Sequence, residues 1–338
     1  MPSSAFAMPP LEPPTLADVY RARALLAAVL RPTPLARHPL LDEALGLEVH
    51  VKHENHNPTG AFKVRGGLTL VSALVREGPP AGVITASTGN HGQSIAYACR
   101  RHRVPCTVVV PAGNNPEKNA AMRALGAEVV EFGRDFDEAR EEVERRVSAA
   151  GGGLRYVHSA NEPLLVAGVA TYALEIFEAL PDADVVFVPI GGGSGAAGLV
   201  TVRDALGLKA RIVGVQAERA DAFARSWRTG VRVTGDRADT FAEGMATRVT
   251  FDLTFGILRR GLDDIVTLSE EEIAEGVRLA LRATHNLAEG AGAAPLAAAA
   301  KRRAALAGRQ VVCVMSGGNL DLATLRRIVC HGPAPAEP

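Results

Sequence analysis

The order of short apolar runs constrains the fold of this chain most strongly. Residues 83–86, 107–110, 128–132, 185–189, 212–216 and 311–315 are rich in valine and isoleucine and little interrupted by polar side chains. Runs of that length read as buried strands. Stretches of helical periodicity lie between them, at 93–101, 116–125, 135–149 and 270–286. Strands alternating with helices pack as parallel sheets covered by helices. The expected class is therefore α/β with parallel-rich sheets. Ligands in such folds bind beyond the carboxyl ends of the strands, so the segments there carry the functional signal.

Four segments rich in glycine and small polar residues qualify. Thr59-Gly60-Ala61-Phe62-Lys63-Val64-Arg65-Gly66-Gly67 sets one lysine beside a phenylalanine, bracketed by glycines that allow tight turns. A lysine in a partly apolar site loses its proton readily and attacks carbonyls as a free amine. Ser87-Thr88-Gly89-Asn90-His91-Gly92-Gln93 joins the strand at 83–86 to a helix, a junction that presents N–H groups to an anion. Read alone, it is equally a polar turn with Ser or Thr as helix cap. Gly191-Gly192-Gly193-Ser194-Gly195 follows the run at 185–189 and precedes a helix, which suits a phosphate. Met315-Ser316-Gly317-Gly318-Asn319 ends the last run with a serine able to hydrogen-bond a ring nitrogen. A rival stands at the third segment. Gly193-Ser194-Gly195-Ala196-Ala197-Gly198 matches the dinucleotide fingerprint, and Glu218 stands where a ribose-binding acid would be. That rival leaves Lys63, the Asn90 loop and Ser316 without a role.

In this order and spacing the four segments resemble the fold-type II pyridoxal phosphate enzymes, the tryptophan synthase β-like group. More narrowly they resemble the serine/threonine dehydratases (threonine ammonia-lyases) and serine racemases, over residues 15–329. The resemblance implies pyridoxal 5'-phosphate as cofactor and Lys63 as the Schiff-base lysine, which also removes the Cα proton. It places Phe62 on the cofactor ring face, Asn90 at the 3'-oxygen, and Gly191, Gly192, Gly193, Ser194 and Gly195 around the phosphate. Ser194 stands where the family usually has glycine, and its Cβ restricts left-handed backbone angles. Ser316 falls at the pyridine nitrogen. Ser87, Thr88, Asn90 and His91 fall at the substrate carboxylate, with Thr88 also the candidate acid on the face opposite Lys63. Phe241-Ala242-Glu243-Gly244 matches a substrate-side Ala-Asp-Gly stretch, with Glu243 for the aspartate and Gly244 beside it. Glu289 leads a stretch on the cofactor's far side.

The implied reaction is β-elimination from a 3-hydroxy amino acid, L-threonine first and L-serine second, to a 2-oxo acid and ammonia. The alternatives are a dehydratase for phenylserine or 3-hydroxyaspartate, a serine racemase, and a catalytically silent homologue that binds cofactor or a partner. Relatives that bind a divalent cation use two carboxylates and one main-chain oxygen. Gln216 and Ala222 replace the carboxylates here and Ala220 stands at the third position, so no metal is expected.

The resemblance further implies a large cofactor-binding domain of residues 15–63 and 161–330 and a small domain of 64–160. Residues 1–14, rich in proline and small side chains, read as a flexible tail rather than a signal peptide. The sequence continues only briefly after Ile328, and no C-terminal regulatory domain is expected. Lys plus Arg and Asp plus Glu both number 37, so no basic excess suggests nucleic acid or an anionic membrane. Cys99, Cys106, Cys313 and Cys330 lack metal-binding spacing and read as reduced thiols of a cytoplasmic protein. A homodimer or homotetramer acting on a small molecule is the expected assembly.

Overall fold

The computed structural model describes residues 11–330, so most of the expected N-terminal tail lies outside the described residues. Two sheets organise them. The larger is built from β1 (Leu35–Arg37), β2 (Glu48–His53), β7 (Val185–Pro189), β8 (Arg211–Ala217), β9 (Asp264–Leu268) and β10 (Gln310–Met315). Its strand order is β1-β2-β10-β7-β8-β9, parallel except for the β1–β2 pair. The smaller contains β3 (Gly82–Ala86), β4 (Cys106–Val110), β5 (Glu128–Glu131) and β6 (Leu154–Tyr156), all parallel in the order β5-β4-β3-β6. The six apolar runs of the sequence are β3, β4, β5, β7, β8 and β10. Buried valines and isoleucines from both faces of the larger sheet enter separate clusters beneath the covering helices.

β2 escapes the apolar pattern because it carries Lys52 and His53, both buried. The burial of Lys52 rests on partners from distant segments. Lys52 Nζ donates to the Thr33 carbonyl at 2.7 Å and pairs with Glu175. Arg65 on helix Lys63–Glu77 grips Glu54 with two parallel bonds of 2.7 and 2.8 Å, and Glu175 with two of 2.7 and 2.9 Å. Thr33, Asn57 and Thr171 satisfy further atoms of the group. Burial works to raise the Glu54 carboxyl, but Arg65 and Lys52 override it and hold it below the usual carboxylate range. The cluster ties the end of β2 to the start of the helix that bears Lys63.

Close backbone approach completes the positioning. A Cβ on Gly67 would lie 2.3 Å from Ser94 Oγ, and one on Gly66 2.8 Å from the Leu165 carbonyl oxygen. Helix Lys63–Glu77 can therefore lie against helices Asn90–His102 and Pro163–Val169.

Removing one member of a fully paired buried ion cluster strands its partners. Arg65→Met should lower unfolding stability by about 3 kcal/mol or more in urea titrations. A loss below about 1 kcal/mol, the range of exposed pairs, would contradict this account of the cluster.

Candidate active site

The four sequence segments meet at one cavity of about 530 Å³ between the carboxyl ends of the two sheets. Phe62, Lys63, Ser87, Thr88, Asn90, His91, Gly191, Gly192, Gly193, Ser194, Gly195, Glu243, Gly244, Glu289 and Ser316 all line it. Two segments are stitched together directly. Ala61 and Gly317 form an antiparallel bridge, Phe62 N–H donates to the Ser316 carbonyl at 3.0 Å, and Gly318 N–H donates to the Gly60 carbonyl at 2.9 Å.

Lys63 opens its helix, and Ser94 Oγ donates to its carbonyl at 2.6 Å. Its amine lies 3.3 Å from Ser194 Oγ and 5.4 Å from the Phe62 ring centroid. Burial lowers the amine to about 8. Roughly one molecule in ten then carries the free base at neutral pH, against fewer than about one in a thousand for an ordinary lysine. Phe62 is fixed from behind by an edge contact with Tyr172, whose hydroxyl donates to the Gly195 carbonyl at 2.8 Å.

The glycine loop ends β7 and begins helix Ser194–Ala205. Its first-turn amides have no intrahelical acceptor and offer an anion cradle. The left-handed angle falls on Gly193, at φ 86°, while Ser194 is the first helical residue. The serine is thus accommodated without strain. A Cβ on Gly191 would lie 2.1 Å from the Gly244 carbonyl oxygen, so the loop passes too near the 243–245 turn for any side chain.

In the Asn90 loop the helix starts at Asn90 after Gly89, three residues before the stretch read from sequence. Neither Ser nor Thr occupies the cap position. Ser87 Oγ instead accepts the amides of Gly89 and Gly92, at 3.1 and 2.9 Å, and so shapes the turn. Thr88 is half-buried, and its hydroxyl has no protein partner among the described residues. His91 Nε2 lies 3.0 Å from Thr85 Oγ1, whose own proton goes to the Val157 carbonyl at 2.7 Å. Nε2 is therefore the protonated nitrogen, and Nδ1 is buried without a partner. Burial, then the Lys63 charge, pushes His91 down to about 3, so it is a neutral group.

Glu289 and Glu243 occupy different environments. Burial raises Glu289 to about 7 against the opposing effects of Lys118 and of a 2.6 Å bond from Asn90 Nδ2. Glu243 pairs with Lys118 across the cavity at 2.6 Å. Lys118 was not singled out by the sequence. It lies on helix Pro116–Ala124 in an ordinary charged context, and only the packing of the two sheets turns it towards the site.

A protein profile described as pyridoxal-phosphate dependent enzyme matches residues 26–317. The chain belongs to that family. It is 36% identical to an L-threonine ammonia-lyase of Thermotoga maritima over 94% of its own length and 79% of that protein. It is 40% identical to an L-threonine ammonia-lyase of Geobacter sulfurreducens over 90% of its length and 75% of that protein. Among solved structures it resembles a threonine deaminase of T.th., with a TM-score of 0.85, 37% identity, and coverage of 91% of this chain and 99% of that one. The cofactor of this family fits the residues present. A buried amine, an amide cradle and the Ser316 hydroxyl, itself without a protein partner among the described residues, converge on one cavity.

Around Gln216, where a cation would need carboxylates, protein hydrogen bonds fill the space. Gln216 Nε2 donates to the Ile190 carbonyl at 3.2 Å and Oε1 accepts the Ala224 amide at 2.7 Å. Ala220 and Ala222 are buried beside it. Exhaustive EDTA treatment should therefore leave turnover unchanged and shift the melting temperature by less than about 2 °C. A large loss restored by Mg²⁺ or Ca²⁺ would show that a cation is held there.

Proposed function

We propose that this protein is a threonine dehydratase, converting L-threonine, and L-serine more slowly, to a 2-oxo acid and ammonia by β-elimination. The observation that carries the reading is the arrangement of one cavity. A lysine amine lowered by burial stands beside an amide cradle, and the neutral Ser316 hydroxyl lines the same space. When bound, pyridoxal phosphate withdraws electrons from the substrate's α-carbon and acidifies its proton. Lys63 would hold the cofactor through its amine, and as the free base that amine would take the substrate's Cα proton. Gly191, Gly192, Gly193, Ser194 and Gly195 would hold the phosphate through main-chain N–H groups, and Phe62 would pack on the ring. Ser316 would give the ring nitrogen a neutral partner, so charge at Cα would be weakly stabilised and loss of the β-hydroxyl would be favoured over a long-lived carbanion. The enamine released tautomerises and hydrolyses. Ser87, Thr88, Asn90 and His91 border the substrate carboxylate, with Glu243 and Gly244 on the opposite wall and Glu289 behind Asn90.

The Lys118–Glu243 pair favours a neutral substrate side chain. Lys118 Nζ is held by Glu243 at 2.6 Å, and Arg248 faces Asp135 at 3.6 Å. A second carboxylate on the substrate, as in 3-hydroxyaspartate, would meet Glu243 and compete for a paired cation. We further propose that residues 15–63 and 161–330 act as a large domain and 64–160 as a small one. The protein would work in the cytoplasm as a homodimer or homotetramer. Among the described residues no helix is long and apolar enough to cross a membrane.

A panel of L-threonine, L-serine, phenylserine and L-threo-3-hydroxyaspartate, assayed for 2-oxo acid, tests this reading. L-Threonine should have the highest kcat/KM. Thr88→Ala should keep most of the dehydration, because proton removal rests on Lys63. Thr88→Ser should raise D-serine formation from L-serine, since loss of the methyl frees χ1. Faster turnover of 3-hydroxyaspartate, or D-serine formed as fast as pyruvate, would replace the reading.

A further inference from the structure

A carboxamide such as Asn90 can face a ligand with either of two opposite ends, an N–H donor or a carbonyl oxygen. The bonds around Asn90 decide between them. The chain of choice begins at the Thr59 carbonyl in the lysine loop, which can only accept. Asn319 Nδ2 donates to it at 2.8 Å, which orients the Asn319 amide. The same Nδ2 donates to Asn90 Oδ1 at 2.7 Å. The Asn90 oxygen is thereby committed, and its nitrogen is turned the other way, where one N–H donates to Glu289 Oε1 at 2.6 Å. The second N–H has no protein acceptor among the described residues, and Asn90 lines the cavity.

We propose that Asn319 is a positioning residue that, acting through Asn90, turns an N–H donor and not a carbonyl oxygen towards the ring oxygen of the cofactor. The inference rests on the pyridoxal phosphate reading of this cavity. That ring oxygen carries negative charge, so an N–H attracts it and a carbonyl repels it. Glu289 alone does not enforce the choice. Burial raises its carboxyl to about 7, and a protonated Glu289 would itself donate and welcome the Asn90 oxygen. Asn319 excludes that flipped arrangement, because flipping would set two NH₂ groups against each other. Its own position is confined by the lysine loop. Gly60 has φ 67°, and a Cβ there would lie 2.6 Å from Asn319 Oδ1.

The test is a double-mutant cycle read by cofactor binding. Asn319→Asp and Asn319→Ala are each made in the natural chain and in an Asn90→Ala background. Each apoenzyme is titrated with pyridoxal 5'-phosphate, following the visible absorption band, and its fold is checked by circular dichroism. In the natural background Asn319→Asp should weaken cofactor binding about tenfold and move the band, and Asn319→Ala about threefold. In the Asn90→Ala background both effects should shrink below about twofold, because the residue they act through is gone. Equal losses in both backgrounds, or no loss in the natural one, would overturn the proposal. Should Asn319→Asp fail to fold, Asn319→Ala decides by the same comparison. An unmodified chain that develops no visible band with the cofactor would overturn the site reading itself, a result distinct from insensitivity to Asn319.

Discussion

Lys63 must be kept from water without losing its place, and the surrounding structure follows from that demand. Its carbonyl is held by Ser94, its amine stands against Ser194, and two residues on Arg65 locks the same helix into a cluster of buried charge. An ammonium in such a site is costly, so the group shifts towards the neutral amine that attacks carbonyls and takes protons. The neighbouring ions achieve the opposite. Glu54 and Arg65 are paired closely enough to stay charged while wholly buried. A fixed structural charge and an amine that gives up its proton more readily than an ordinary lysine are thus separated by two positions of one helix. Tyr172 joins the lysine segment to the glycine loop. It meets the Phe62 ring at a steep angle, and its hydroxyl donates to the Gly195 carbonyl.

The glycine loop offers the cavity main-chain amides rather than a cation, and the Lys118 charge beside it is matched by Glu243. Glu243 and Lys118 form an ion pair across the cavity, from the 243–245 turn to helix Pro116–Ala124.

Much of this was readable from the residues. β3, β4, β5, β7, β8 and β10 announce themselves because parallel strands buried on both faces need continuous apolar side chains. The four site segments stand out because close backbone approach and anion cradles demand glycine. β2 was not readable, since it carries the buried polar residues Lys52 and His53, and the partner that matches the Lys52 charge, Glu175, stands far along the chain. β1 and β6, of three residues each, are too short to show a period. The start of the Asn90 helix was missed because its cap is Gly89 and the turn is held by Ser87 from outside the helix. Lys118 and the orienting role of Asn319 are properties of packing. Each depends on which segment stands opposite, and no local pattern records that.

The central claim is that Lys63 holds the cofactor, and chemical trapping tests it most directly. The protein is incubated with pyridoxal 5'-phosphate, reduced with borohydride, digested and mapped by mass spectrometry. The account predicts a single pyridoxyl modification on Lys63, with the visible band lost on reduction. Lys63→Ala should remain folded and show neither the band nor the modification. Label on Lys118 or another lysine, or near-normal turnover by Lys63→Ala, would contradict the account.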